Sequence, residues 1–373
     1  MRELDGLRGL AVLMVLVFHY GNNPPYGTSV LSKIFLRLFD LGEPGVDLFF
    51  VLSGCLITRI LLDTKRSEHY FSFFYMRRAL RILPLYYLAV MVFFWAYLPM
   101  EHAAVVKGTL PSPRGSWDST SSGEQIWYWL HLSNWRTAFG HLKTSPITHF
   151  WSLAIEEQFY FLWPLVVCAT DYRSLLKICG LGFVLETILR NVPYFSSLQL
   201  TYPAFLYRLT PFHMDGLLLG ACIPLLARMS EVKAPLQRWI WPAAFAAICV
   251  FLANRSVSAL AMSQSGYSAI ALLCFALVFQ ATESAGSTSQ YAMLLRNAWL
   301  CRIGEISYGI YIVHVMIAPP IVTLVRQVLP GQQLFVVRGL VSILVGFATS
   351  YGFALLSWRF LEQPFLRLKR YFE

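Results

Sequence analysis

Apolar residues run in long blocks from one end of the chain to the other, separated by short polar connections. Ten blocks approach the roughly 20 residues that carry a helix across the bilayer hydrocarbon, about 17 being the short limit. They cover approximately residues 5–22, 45–62, 79–99, 153–170, 175–190, 211–227, 239–254, 266–281, 303–325 and 334–358. The pattern predicts an all-α fold, a polytopic integral membrane helix bundle of about ten transmembrane helices. The block 175–190 is the weakest, because it is short and holds Lys177, Glu186 and Arg190. No long polar stretch separates the blocks, so 1–373 reads as a single transmembrane domain with an outer loop at about 100–150 and no appended soluble domain. No internal repeat is evident, which weighs against an inverted-repeat transporter.

Composition strengthens the membrane reading. Of 373 residues, 57% are hydrophobic and only 13% charged, which leaves too little polar surface to coat a soluble domain of this size. The formal charge of +10 could point to nucleic acid, but the basic residues sit in the short connections between apolar blocks. The positive-inside rule accounts for them and places both termini in the cytoplasm. No nucleic-acid partner is therefore expected. The first apolar block carries Asp5 and Arg8, ends at His19-Tyr20 and lacks a small-residue cleavage pattern, so it is read as a retained span. In the outer loop, Trp127, Tyr128, Trp129 and Trp135 suit an interfacial helix. The seven cysteines are scattered without paired spacing, which argues against a disulfide framework and a cysteine-ligated metal.

Ionisable residues inside spans are costly, about 2.5–3.5 kcal/mol each, and persist mainly where they face a bundle interior or cavity. Arg8 and His19 are about 1100° of helix rotation and ~16 Å of rise apart, so they share a face and line one internal path. The plainer readings are a positive-inside anchor for Arg8 and a hydrogen-bonded packing residue for His19. Arg78 and Arg81 stand one turn apart, a spacing suited to an anionic group such as a phosphate; anchoring to lipid headgroups is the alternative. Glu156 opens an apolar helix with Tyr160 one turn on, at about the depth of His19. A histidine and a carboxylate at one depth can form a base and its orienting partner. Ser53-Gly54 can permit a close approach of helices or of a ligand, and Asp47 can cap its helix. Trp151 and Asp215 are supporting candidates, with His213, Glu186 and His314 weaker ones.

Together these segments resemble the acyltransferase-3 family of bacterial membrane acyltransferases. The resemblance rests on Leu4-Asp5-Gly6-Leu7-Arg8 followed, after ten positions from Arg8, by His19; on Gly45-Val46-Asp47 through Ser53-Gly54; on Arg78-Ala79-Leu80-Arg81-Ile82-Leu83-Pro84; and on Trp151-Ser152-Leu153-Ala154-Ile155-Glu156-Glu157-Gln158-Phe159-Tyr160. Leu132-Ser133-Asn134-Trp135, Asp215 through Gly220, Ser307 through Tyr311 and Glu362-Gln363-Pro364 add order and spacing. Cys55 departs from the phenylalanine usual after Ser-Gly. The resemblance implies O-acyl transfer, commonly acetyl, from cytoplasmic acyl-CoA as co-substrate to a hydroxyl of a carbohydrate or glycolipid acceptor at the outer side of the bacterial cytoplasmic membrane. It implies no permanently bound cofactor and no metal, and either independent action or hand-over to a separate extracytoplasmic transferase. On this reading His19 is the general base and Glu156 its partner. Arg78 and Arg81, with Arg8 assisting, hold the donor, while Ser53 and Gly54 let the pantetheine arm pass. Asp47, Trp151, Tyr160 and Asp215 support them. A proton-coupled transporter or flippase of a glycan or lipid intermediate is the alternative for the same buried charges.

Overall fold

The computed structural model describes residues 1–22, 26–100, 103, 122–139, 145–202 and 204–372; most of the expected outer loop lies outside these. Every regular element among the described residues is helical, and each of the ten predicted blocks coincides with a helix. Seven helical stretches are long and apolar enough to cross a membrane. Phe150–Ala169 and Tyr172–Asn191 are long enough but more polar, and Asp215–Leu226 is apolar but short. The result is a polytopic membrane bundle.

The chain divides into two compact units, each assembled from separated segments. The first contains residues 1–46, 75–97 and 285–373. Its central element is the helix Arg2–Gly21, which packs against Ala298–Glu305, Ser307–Val328 and Phe335–Ser357. Glycine sets the closeness of the first of these contacts. A Cβ on Gly9 would stand 2.2 Å from the Leu300 carbonyl oxygen, and one on Gly304 would stand 1.8 Å from that of Asp5. Small residues at backbone-to-backbone contacts give membrane helices van der Waals attraction that lipid cannot match. At the far end, the Tyr20 hydroxyl donates to the His314 carbonyl at 2.7 Å.

The helix Val30–Asp40, absent from the sequence-based list of spans, lies between the first two of them. Ser29 caps it by accepting from the Ser32 amide at 3.1 Å. One face turns Phe39 inward against Phe335. Val30, Leu31, Ile34 and Leu38 are exposed, the mark of a helix lying along a membrane interface.

The second unit contains residues 47–74 and 98–284. Every residue of Asp215–Leu226 is buried, and this helix meets the segment around Gly54 at backbone distance. A Cβ on Gly54 would lie 2.0 Å from the Leu217 carbonyl oxygen, and one on Gly220 would lie 2.1 Å from that of Val51. The indole of Trp163 donates to the Thr58 hydroxyl at 2.8 Å, and the Tyr70 hydroxyl to the Pro164 carbonyl at 3.0 Å. Phe161, Leu162 and Leu165 are exposed, as are Leu181, Leu185 and Ile188, as lipid-facing surfaces require.

The aromatic stretch of the outer loop forms two short helices, Gln125–Trp129 and Ser133–Ala138, where one interfacial helix was expected. The break falls at His131, whose φ of 53° is left-handed and incompatible with a continuous right-handed helix. Tyr128 is buried, so this face packs onto protein.

Candidate functional site

His19 ends the first helix with its Nδ1 2.9 Å from the carbonyl oxygen of Val15, four residues earlier. A carbonyl only accepts, so Nδ1 carries the proton, and in the neutral ring Nε2 holds the lone pair. Among the described residues Nε2 has no hydrogen-bond partner. His314 lies beside it, the two rings 4.9 Å apart and nearly perpendicular. The sequence marked His314 only as a weak candidate; its proximity to His19 comes from the packing of two helices far apart in the chain. His19 belongs to the first unit and Glu156 to the second, so their expected pairing rests on helical depth in the sequence.

The remaining candidates of the first unit are cationic. Arg8 pairs with Asp5 at 3.0 Å across one turn. Arg78 and Arg81 do share a helix face, and they join a larger cluster: Arg77, Arg78 and Arg81 all act electrostatically on Lys369. Arg77 donates from Nε to the Phe372 carbonyl at 2.7 Å, which holds the C-terminal turn to this helix. Glu362, buried and accepting from the Ser357 hydroxyl at 2.9 Å, lies within the field of Arg81. Lys369 escaped the sequence reading because nothing in its local pattern connects it to residues 77–81.

In the second unit Ser53 and Glu156 are brought together, the serine hydroxyl donating to Glu156 Oε1 at 2.5 Å. Gly54 is committed to helix packing against Leu217, so the space above its Cα is filled by backbone. That packing accounts for Gly54 without the passing pantetheine arm that the sequence suggested there. Tyr160 is buried on the helix of Glu156.

Asp47, Trp151 and Asp215 belong to a buried polar core. Arg190 is wholly enclosed and donates to Asp215 at 2.6 Å, Glu186 at 3.2 Å, the Ser268 hydroxyl at 3.0 Å and the Phe212 carbonyl at 2.7 Å. Glu186 and Arg190, two of the three charges that made 175–190 look a poor span, thus pair with each other and with Asp215. Next to them, His213 donates from Nδ1 to the Tyr207 carbonyl at 2.7 Å, and its Nε2 lies 3.1 Å from Asp47 Oδ1. With Nδ1 fixed as a donor, the pair is either imidazolium and carboxylate or neutral imidazole and carboxylic acid; both states hold one proton between Nε2 and Oδ1. Phe50, Trp151, Tyr207 and Tyr267 enclose the imidazole at ring distances of 4.8 to 5.6 Å. Asp47 thus does more than cap its helix, and Trp151 is a wall of this cage.

Closer to the outer loop, Gln158 ties three segments together. It donates to the His131 carbonyl at 2.9 Å and to Asn134 Oδ1 at 2.8 Å, and accepts from the Thr210 hydroxyl at 2.5 Å. Asn134 in turn donates to Thr210 and to the Arg208 carbonyl. The sequence singled out the Leu132–Trp135 and Trp151–Tyr160 segments separately; this network is their physical connection.

Residues 1–359 match the acyltransferase-3 family, described as an acyltransferase domain. The chain is 30% identical to the peptidoglycan O-acetyltransferase OatA of Listeria monocytogenes over 377 residues, covering 97% of this chain and 55% of that protein. It is 31% identical to a putative peptidoglycan O-acetyltransferase, YrhL, of Bacillus subtilis over 263 residues, covering 67% and 38%. A putative O-acetyltransferase of Staphylococcus aureus is 26% identical over 389 residues, covering 98% and 57%. The chain therefore spans between 38% and 57% of the length of these relatives. No solved structure matches it. The chain is a multi-pass membrane protein and belongs to the acyltransferase-3 family.

Proposed function

We propose that this protein moves an acyl group, acetyl by likeness to its named relatives, from cytoplasmic acyl-CoA to a hydroxyl of a glycan at the outer side of the bacterial cytoplasmic membrane. Peptidoglycan is the first acceptor to try, because relatives of this chain carry that name. The observation that carries the reading is the tautomer of His19. Its Nδ1 proton is spent on the Val15 carbonyl, and the Nε2 lone pair is left to accept a proton.

In the proposed reaction Nε2 takes the proton of the acceptor hydroxyl as that oxygen attacks the thioester carbonyl carbon. The tetrahedral intermediate collapses with cleavage of the C–S bond, and His19 returns the proton to the departing CoA thiolate. Direct transfer is the simplest form; an acyl group resting on His19 is the variant to look for. Arg78 and Arg81, within the basic cluster that includes Lys369, hold the donor phosphates by charge-assisted hydrogen bonds, and Arg8 assists. Glu156, engaged by Ser53, is the second acid–base group. Asp47, Trp151, Tyr160 and Asp215 maintain the buried core of the unit that carries Glu156.

His19→Ala is expected to lower acyl transfer by about 10²–10⁴-fold while the protein still inserts and folds. Near-normal turnover in the folded variant would refute the assignment. Purified protein with labelled acetyl-CoA separates this reading from a transporter: the label must appear on the glycan without net movement of a solute.

A further inference from the structure

Arg208 closes the four-residue helix Phe205–Arg208. Its backbone is fixed at both polar groups: the amide donates to the Ala204 carbonyl at 2.9 Å, and the carbonyl accepts from Asn134 at 3.1 Å. The adjoining apolar residues Phe205, Leu206, Leu209 and Phe212 are buried with Ala138. The guanidinium, by contrast, has no hydrogen bond, ion pair or ring contact among the described residues, and its Nε is closed off from solvent. The residue as a whole keeps partial exposure, so the position can be reached.

A cation without a partner at a partly dry site is costly, and such groups are normally paired. The ionisable groups that act on Arg208 are the phenols of Tyr207, Tyr128 and Tyr267, which are neutral at physiological pH. The closest arginine on the neighbouring helix, Arg136, already has a carboxylate in Glu124. Five N–H donors in a planar fork, set among phenol groups on a fixed backbone, match a carboxylate in two-pronged geometry. By the orientation read from the sequence, residues 191–210 are on the outer side, where the acceptor arrives.

The geometry points to Arg208 as an anion-recognition residue that binds a carboxylate carried by the glycan acceptor, so that the preferred substrate is an acidic glycan. This rests on the acyl-transfer reading for the word acceptor, but not for the binding itself. The test is therefore one of binding. The purified full chain in nanodiscs is titrated with N-acetylglucosaminyl-N-acetylmuramic acid, with its carboxyl methyl ester and with N-acetylglucosamine 1-phosphate.

The wild type should bind the free acid at least about tenfold more tightly than the ester, as expected for a charged hydrogen-bonded contact. Arg208→Gln should abolish that preference, and Arg208→Lys should retain part of it. Equal binding of acid and ester by the wild type, selection of the phosphate alone, or an unchanged preference in a folded Arg208→Gln protein would each overturn the proposal. The wild-type comparison decides even if a variant fails to fold. Acetyl transfer is measured on the same samples: selection of the acid without any transfer would leave the anion site standing and remove the acyl-transfer reading, and transfer without selection would do the reverse.

Discussion

Single residues in this protein act through the hydrogen bond that fixes each of them. Ser53 donates to Glu156, which leaves the carboxylate one strong donor to lose. Ser53→Ala is expected to reduce turnover with acyl-CoA affinity unchanged if Glu156 takes part in chemistry, and a rise in donor KM alone would instead place Ser53 at the donor. His131 offers a pH test outside the spans. Burial lowers its pKa to about 4, so the folded segment holds the neutral ring while the unfolded chain takes up a proton below about 6.5. The contribution to stability is whole above that pH and is lost as pH falls from about 6.5 towards 4. Protection from hydrogen exchange across residues 122–139, taken relative to the intrinsic exchange rate at each pH, should therefore fall between pH 7.5 and 5, and His131→Asn, which tolerates positive φ and does not titrate, should flatten the response. At this scale the sequence revealed residue types and their spacing. Which atom of His19 carries its proton follows from the carbonyl one turn back in its own helix, whereas that Lys369 joins the arginines depends on contacts that no local pattern encodes.

At the scale of helices, the ten hydrophobic blocks were legible because apolar length is a strong signal. The interfacial helix Val30–Asp40 was not, since its apolar face is too short to register as a span. Glu186 and Arg190 misled in a different way: read singly they weaken a transmembrane segment, whereas in the folded unit they are one network with Asp215. Arg190→Ala leaves two buried carboxylates uncompensated and is expected to cost about 3–5 kcal/mol, seen as loss of folded protein in membranes and a lowered melting temperature in detergent. Gly54 allows a sharper distinction. A methyl group there would press on the Leu217 carbonyl, so Gly54→Ala should destabilise by about 1–3 kcal/mol as measured by thermal unfolding. A fully stable Gly54→Ala protein with a raised donor KM would restore the pantetheine passage.

For the molecule as a whole, charge and helix carriage set the direction of the proposed transfer. If the Arg77–Arg81 segment and Lys369 receive the donor phosphates, acyl-CoA affinity should fall steeply with ionic strength, because salt screens partly exposed charges. Arg78→Ala with Arg81→Ala should both weaken binding and flatten that dependence, as read by calorimetry at two salt concentrations. Unchanged affinity in the double variant would remove the phosphate role. The glycine contacts of the first helix bear on how transfer can proceed. Gly9 and Gly304 place backbone directly on backbone, and a slide of one turn, about 5.4 Å, would bring a residue that carries a Cβ against a carbonyl that a glycine now faces. The helix bearing Arg8 and His19 is thereby locked in axial register with its neighbour and serves as a fixed ruler. The ~16 Å between those two residues is a distance the acyl arm has to travel by itself, and a donor with a shortened arm would bind at the arginines and stop short of the histidine.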